Sequence, residues 1–478
     1  MPCKDLREYL EVLDKAGELV RITEEVDWYL EAGAIARRAQ DLRAPAPLLQ
    51  RVKGYPEGVR LFGNTFGPTR PVVHGRISLA LGMPPDTLTE EITAEFARRL
   101  KKPIKPVLVN QGRCKENIVT GDGVDLLAFP APHLHIMDGG RFFGSWHINV
   151  IKDPDSNWVN WGTYRHMLLD KNSLGFLAQR PQHGPSIYYD KYESRGQPMP
   201  MAVVFGCDPT LNMAAAASLP ANVNEVDAAG GLRQAPVELV KCQTSDLEVP
   251  AHAEIVLEGE VTSERRREGP FSEFTGYCSR ETLSPVFKVK CITFRNNPIM
   301  TFSCHGKPWD DGGVMSSISS SALMAQSLRN AGLSFKSVYC MPHVLAVIVS
   351  TSVPYPGFVH VLASAIWGSR PGILRPYIIV VGEDVDVSDP ADVLWCLTTR
   401  LHPVTGVYTH LDTPSDSLWP FLSKEEKERH QGAKLLLNAT FPPQWDPKDV
   451  PIPVDFETGW PAEVKERVLK RWKKYGYK

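Results

Sequence analysis

The most unusual local sequence in the chain is Arg265-Arg266-Arg267-Glu268-Gly269-Pro270-Phe271-Ser272-Glu273. Two carboxylates stand five residues apart, a Gly-Pro turn separates them, and Phe271, Phe274 and Tyr277 are their aromatic neighbours. An apolar setting raises the pKa of a carboxyl group, which makes a glutamic acid a usable proton donor near neutrality. The plain alternative is an acidic turn beside a basic run, because runs of charge usually solvate a face. Three other segments carry candidate chemistry. In Trp158-Val159-Asn160-Trp161-Gly162-Thr163-Tyr164-Arg165 two tryptophans flank an asparagine and an arginine follows; the alternative is an aromatic strand with an edge arginine. Arg180-Pro181-Gln182-His183-Gly184 offers a loop histidine, a type more often structural than a ligand. Asn222-Val223-Asn224-Glu225 follows a small-residue run at 214–218 and reads by default as a surface loop. No P-loop, G-x-S-x-G or H-E-x-x-H motif is present.

The elements that must position these residues fall into three regions. Residues 5–16 put Leu6, Tyr9, Leu10 and Leu13 on one helical face, with Gly17 as a stop. A strand at 18–22, helices at 30–40 and 89–101 and a strand near Leu61 complete an opening α/β unit. The middle has β-type runs at 146–151, 158–164, 201–205, 254–261 and 285–294, punctuated by proline turns and with few helical patterns. Such a series suggests a barrel or sandwich. A Ser- and Ala-rich helix over 314–331 then links to alternating β and α signals at 344–349, 357–367, 377–381 and 389–397, a third α/β region. The basic tail helix at 461–475 offers Val464, Val468 and Trp472 to a neighbour. The corresponding boundaries are 1–115, 116–310, 311–335 for the linking helix, and 336–478.

Composition excludes several classes. The 478 residues contain 53 Lys+Arg against 55 Asp+Glu, so no strongly basic nucleic-acid surface is implied. No apolar run is long enough to span a bilayer, and the N-terminus has no apolar signal core. The nine cysteines are scattered and never form a C-x-x-C pair, which argues against a disulfide framework and points to a reducing cytoplasm.

Taken together, the segments resemble the UbiD family of decarboxylases, which use prenylated FMN. Asn160, His183 and Glu225 stand at spacings like those of the family's metal triad. Arg165 with Glu268 and Glu273 matches its Glu-Arg-Glu set, and the stretch from Glu268 to Tyr277 is similar to its most recognisable line. Supporting pieces are Pro130-Ala131-Pro132 with His135 and Asp138-Gly139-Gly140, then Leu247-Glu248-Val249-Pro250 with Ala253 to Gly259, and Val380-Val381-Gly382-Glu383-Asp384. The likeness runs from the first helix to about residue 443. It implies an N-terminal α/β domain, a central split β-barrel that binds the flavin, a linking helix and a C-terminal α/β domain.

The resemblance also implies roles. Asn160, His183 and Glu225 would hold Mn2+ or Mg2+, an oxygen- and nitrogen-rich set that suits an octahedral ion. K+ or Na+ would sit beside it, near the carbonyls of Trp161 and Ala214–Ala215. Gly162, Thr163, Arg165, Gln182, Ala215 and Arg375 join the triad as prenylated-FMN contacts, with Arg375 standing where the family commonly has a lysine. Arg400 and Asn438 take supporting positions near the cations. Arg165, Glu268 and Glu273 form the catalytic set, with Glu273 as the acid. His305, Lys307, Trp309, Met315 and Met341 are the substrate-pocket candidates. The implied activity is reversible decarboxylation of an aromatic, heteroaromatic or α,β-unsaturated carboxylic acid in a cytoplasmic homodimer or homohexamer. Its partners are the acid, CO2 and a flavin prenyltransferase that supplies the cofactor, with no nucleic acid and no membrane. Two other readings stay open: a flavin-free, metal-dependent lyase using the triad directly, and a structural subunit of a larger carboxylase.

Overall fold

The computed structural model describes residues 3–180, 182–342 and 345–477. The first helix, Leu6–Lys15, buries Leu6, Tyr9, Leu10 and Leu13, and Asp5 caps it by accepting from the Glu8 N–H. It and the helix Glu31–Leu42 pack on a four-stranded sheet, in the order Leu19–Val26, Ala46–Val52, Arg60–Gly63, Ile299–Phe302, while the helix Thr89–Leu100 packs against the later helices Glu225–Arg233 and Asp311–Asn330. The last of these strands comes from the far end of the central segment and pairs in parallel with Arg60–Gly63. A covalently distant strand therefore ties the opening unit to the middle of the chain.

The centre is a nine-stranded sheet built from antiparallel pairs, and it forms the curled, barrel-type layer of the molecule. Its spine is the hairpin of Ile255–Glu268 and Thr282–Phe294. Both strands run beyond the alternating apolar segments at 254–261 and 285–294. The extension Thr262–Glu268 is mostly polar and partly exposed, so it carries no hydrophobic period, yet it brings Glu268 to the functional site. Pro285 is accommodated where the register shifts between Thr262 and Arg265, because a proline cannot donate to a regular ladder.

Three short helices interrupt this region: His183–Ile187, Pro209–Ala215 and Glu225–Arg233. Periodicity could not reveal the last, because almost all of its residues are buried and it has no polar face. Its two glycines allow close packing: a Cβ on Gly230 would lie 2.2 Å from the Ile104 carbonyl oxygen, and one on Gly231 2.7 Å from that of Lys102. The linking helix Asp311–Asn330 is capped by Asp310, which accepts from the Gly313 N–H at 2.8 Å. It leads into a five-stranded mixed sheet in the order Ser337–Cys340, Ala346–Ser350, Tyr377–Val381, Gln431–Ala439, Val407–Pro414. Val344, the expected start of the second of these strands, lies outside the described residues. The tail helix Ala462–Arg471 buries none of its residues within the chain. Among the described residues no helix is long and apolar enough to cross a membrane.

Candidate active site

Arg165 follows the strand Val159–Gly162 and projects between two glutamates. Its Nε and Nη2 donate to the two carboxylate oxygens of Glu268 at 2.8 and 2.7 Å, while Nη1 donates to Glu273 Oε1 and, at 3.2 Å, to Ser279 Oγ. The guanidinium also lies over the Phe271 ring, 5.2 Å from its centroid. Glu268 is fully buried, and Gly175 makes room for it: a Cβ there would lie 2.7 Å from Glu268 Cγ. Beyond the hairpin strand the chain turns at Gly269, whose φ of 86° is left-handed and favours glycine. The turn is anchored from outside, because Asp138 Oδ1 accepts from both the N–H and the Oγ of Ser272, at 2.8 and 2.9 Å.

Glu273 therefore hangs from a braced loop. Burial raises its pKa; Arg165 and His305 oppose the rise, and the carboxyls of Glu268 and Asp416 add to it. Among the described residues its Oε2 has no hydrogen-bond partner, and the side chain faces a cavity of about 430 Å³, a normal size for a small-molecule site. His305 enters the same cavity. Burial disfavours its charge, but its contact with Asp310, at 3.3 Å, and the charges of Asp311 and Glu273 outweigh that and lift its pKa to about 9. It is an imidazolium at neutral pH.

A second cluster adjoins the cavity through Tyr164, which lines it. Tyr164 Oη donates to Asn160 Oδ1 at 2.9 Å and accepts from the Gly184 N–H, also at 2.9 Å. Asn160 Nδ2 and the Trp161 N–H donate to the two oxygens of Glu225, at 3.1 and 2.8 Å. His183 begins its helix beside Gly184, with its ring edge-on to Trp158 at 5.1 Å. Glu225 is 2% exposed and forms no ion pair among the described residues, and burial pushes its pKa up to about 7. Burial, and after it the charge of Arg370, pulls His183 down to about 4, leaving its imidazole neutral. A buried carboxylate without a cation, an amide and a neutral imidazole form a donor set that fits a divalent ion. No group of three His, Cys, Asp or Glu among the described residues offers another site.

Of the other residues singled out from sequence, Thr163, Gln182, Met315 and Arg375 line the cavity. Arg375 also donates to Ser320 Oγ at 3.2 Å. Gly162 and Ala215 lie buried just behind that wall. Three substrate-pocket expectations need correction. Lys307 is exposed, and its carbonyl accepts from Arg37; Trp309 lines a separate cavity between the opening and closing regions; Met341 packs against the buried cluster that includes Tyr339, Ile348 and Val381. Between His305 and Gly312 the chain leaves the cavity wall, and it returns at Gly312, Met315 and Ser316. Arg400 and Asn438 also lie elsewhere. Arg400 pairs with Asp384 and stacks near Trp395 and Phe441, and Asn438 accepts from Thr440. Sequence reasoning gave no role to Tyr164, Arg370, Asp416 or Trp419, which all line the cavity. Arg370 stands in a Ser-Arg-Pro-Gly turn and Asp416 in a short loop, and neither carries a motif.

Three domain models of 3-octaprenyl-4-hydroxybenzoate carboxy-lyase match the chain in order: the N-terminal domain over residues 10–96, the Rift-related domain over 105–308 and the C-terminal domain over 314–439. The chain belongs to the UbiD family. This UbiD chain is 34% identical to the pyrrole-2-carboxylic acid decarboxylase of Pseudomonas aeruginosa, over 99% of the chain and 98% of the relative. It is 30% identical to ferulic acid decarboxylase 1 of Saccharomyces cerevisiae, over 100% and 99%. The closed form of the vanillic acid decarboxylase of Sedimentibacter hydroxybenzoicus superposes with a TM-score of 0.88 at 31% identity, covering 99% of this chain and 100% of that one. The UbiD-class enzyme HmfF of Pelotomaculum thermopropionicum, solved with prFMN, gives 0.79 at 27% identity over 95% and 98%. The UbiD chain is thus a carboxy-lyase with the three-part α/β, curled-sheet, α/β architecture of its family.

Proposed function

We propose that this UbiD chain interconverts an aromatic, heteroaromatic or α,β-unsaturated carboxylic acid with CO2 and the decarboxylated product, using prenylated FMN. The observation that carries the reading is Glu273: a buried carboxyl with its pKa raised, Oε1 held by Arg165 and Oε2 directed to the cavity. Prenylated FMN, when bound, supplies an electrophilic partner for the substrate carbon and a sink for the electrons left by CO2. Glu273 Oε2 delivers the proton that takes the place of CO2 and, in the reverse direction, removes it. Arg165 holds both glutamates with charge-assisted hydrogen bonds and fixes the donor's aim. His305, charged at neutral pH, attracts the acid into the cavity, and Met315 supplies apolar wall.

Asn160, His183 and Glu225 would hold Mn2+ or Mg2+ at the cofactor's phosphate, with K+ or Na+ beside them. Thr163, Gln182 and Arg375 would contact the flavin. A flavin prenyltransferase would supply the cofactor. Nine free cysteines, all but Cys278 buried, support a reducing, cytoplasmic setting. A homodimer or homohexamer would cover the apolar residues of the tail, where Leu469 is 61% and Trp472 40% exposed; a monomer by light scattering at micromolar concentration would refute that assembly.

The test is a solvent H/D exchange screen over aromatic, heteroaromatic and cinnamic acids with protein matured alongside a prenyltransferase. Exchange and CO2 release that require the flavin absorbance are expected. Turnover by flavin-free, metal-loaded protein would refute the reading.

A further inference from the structure

Asp416 is a carboxyl that the proposed chemistry does not use. It lies two residues beyond the strand Val407–Pro414, so it reaches the cavity from the closing sheet, whereas Glu273 and Arg165 come from the central one. Its Oδ1 accepts from the Leu418 N–H at 2.9 Å, which shapes the loop. Its backbone carbonyl accepts from the Trp419 N–H at 3.0 Å; among the described residues nothing else hydrogen-bonds to its carboxyl group, and no arginine or lysine pairs with it. Its nearest charged influences are Glu273, whose proton affinity it raises, and His430.

That placement creates an electrostatic conflict for a site that takes carboxylic acids. Arg165 is already bonded to Glu268 and Glu273, and His305 to Asp310; the other cations that line the cavity are Arg370 and Arg375. A plain aromatic carboxylate entering the cavity would desolvate the free oxygen of Asp416 and leave it without a partner, which is costly. A ring carrying a hydrogen-bond donor would satisfy that oxygen. A site built to bond a donor group rejects the isostere lacking it much more strongly than an apolar pocket can reject a change of size.

We infer that Asp416 Oδ2 is a specificity determinant that accepts a hydrogen bond from a ring N–H or O–H of the substrate, so that the acids this chain prefers are donor-bearing ones such as pyrrole or phenol carboxylates. The inference rests on the decarboxylase reading above and names the substrate class of that same cavity.

Binding separates it from catalysis. Protein loaded with FMN, which lacks the prenyl-derived ring, is titrated calorimetrically with pyrrole-2-carboxylate against furan-2-carboxylate, and with 4-hydroxybenzoate against benzoate. Each pair differs in the donor and little in shape. The donor-bearing member of at least one pair is expected to bind about 10- to 100-fold more tightly, the size of the cost of leaving a buried acceptor unsatisfied. Whichever pair shows the preference identifies N–H or O–H as the donor. Asp416→Asn supplies the decisive readout. Its Oδ1 can still accept from Leu418, so the loop keeps its turn, but its amide then presents a donor to the ring. The preference should collapse to about onefold or invert toward furan or benzoate. Asp416→Ala, with folding checked by its thermal midpoint, should abolish the preference without inverting it. Equal binding within both pairs in the wild type, no binding of any of the four acids, or a preference that survives in Asp416→Asn would overturn the inference. If the prenylated-FMN holoenzyme nevertheless turns over other acids, the decarboxylase reading stands; if it turns over none, both fall.

Discussion

Two clusters at the candidate site bury glutamates and treat them in opposite ways. Glu268 and Glu273 share one arginine, which makes three hydrogen bonds to them. Glu225, equally enclosed, receives only an amide and a backbone N–H, and burial pushes its pKa to about 7. Burying a charge costs several kcal/mol unless it is paired and bonded. The first cluster meets that requirement with its own side chain and is complete within the chain. The second has no such side chain, and on the reading proposed above a bound cation would meet it. The contrast fits the two tasks proposed above: a self-contained acid whose proton affinity the fold sets, and a receptacle whose charge balance would depend on what it binds.

The sharpest way to break the contrast is Glu273→Gln. It preserves shape and the bond to Arg165 but has no proton to give. Turnover and H/D exchange should fall by about two to four orders of magnitude, the size of a general-acid contribution, with cofactor occupancy unchanged by absorbance. Near-normal exchange would move the proton to another group or a water. Glu225→Ala or His183→Ala attacks the receptacle instead. Metal and flavin occupancy should fall together, each to about a tenth or less of wild type, because one ion would serve both; full occupancy of either by elemental analysis and absorbance would end the assignment.

The pH profile sharpens the first cluster. The donor form of Glu273 is the protonated one, so exchange is maximal below its pKa and declines about tenfold per pH unit above it. Burial raises that pKa, so the descending limb should lie on the alkaline side of 4.5, the ordinary glutamic value. In Glu273→Gln that limb should vanish from the residual rate. The smallest effect is expected at Lys307. Exposed and outside the cavity, it should tolerate alanine with kcat/KM changed by less than about twofold, in line with surface substitutions generally; a tenfold loss would return it to the pocket.

Much of the architecture was legible because its signals are local. The amphipathic face of Leu6, Tyr9, Leu10 and Leu13 marked the first helix, and the apolar alternation of the central strands marked the sheet. Burial on all sides hid the helix that begins at Glu225, and a polar surface hid the strand extension that ends at Glu268. For the same reason a surface loop was the default reading of Glu225 from residue type alone. The family resemblance, carried by ordered motifs, was what tied it to Asn160 and His183.

By itself the sequence determined which side chains are available and, through the Gly-Pro turn and the spacing of Glu268 and Glu273, that two carboxyls stand near one bend. It also determined the family. Only the tertiary structure decided that Arg165, more than 100 residues earlier, bonds both carboxyls, that Lys307 and Trp309 turn away while nearby His305 turns in, and that Asp416 arrives from the closing sheet. The reason is physical. Composition and periodicity report how each segment meets water, whereas proton affinity and specificity depend on which charges share a low-dielectric cavity. That sharing is set by long-range packing, over sequence separations such as the 108 residues between Arg165 and Glu273.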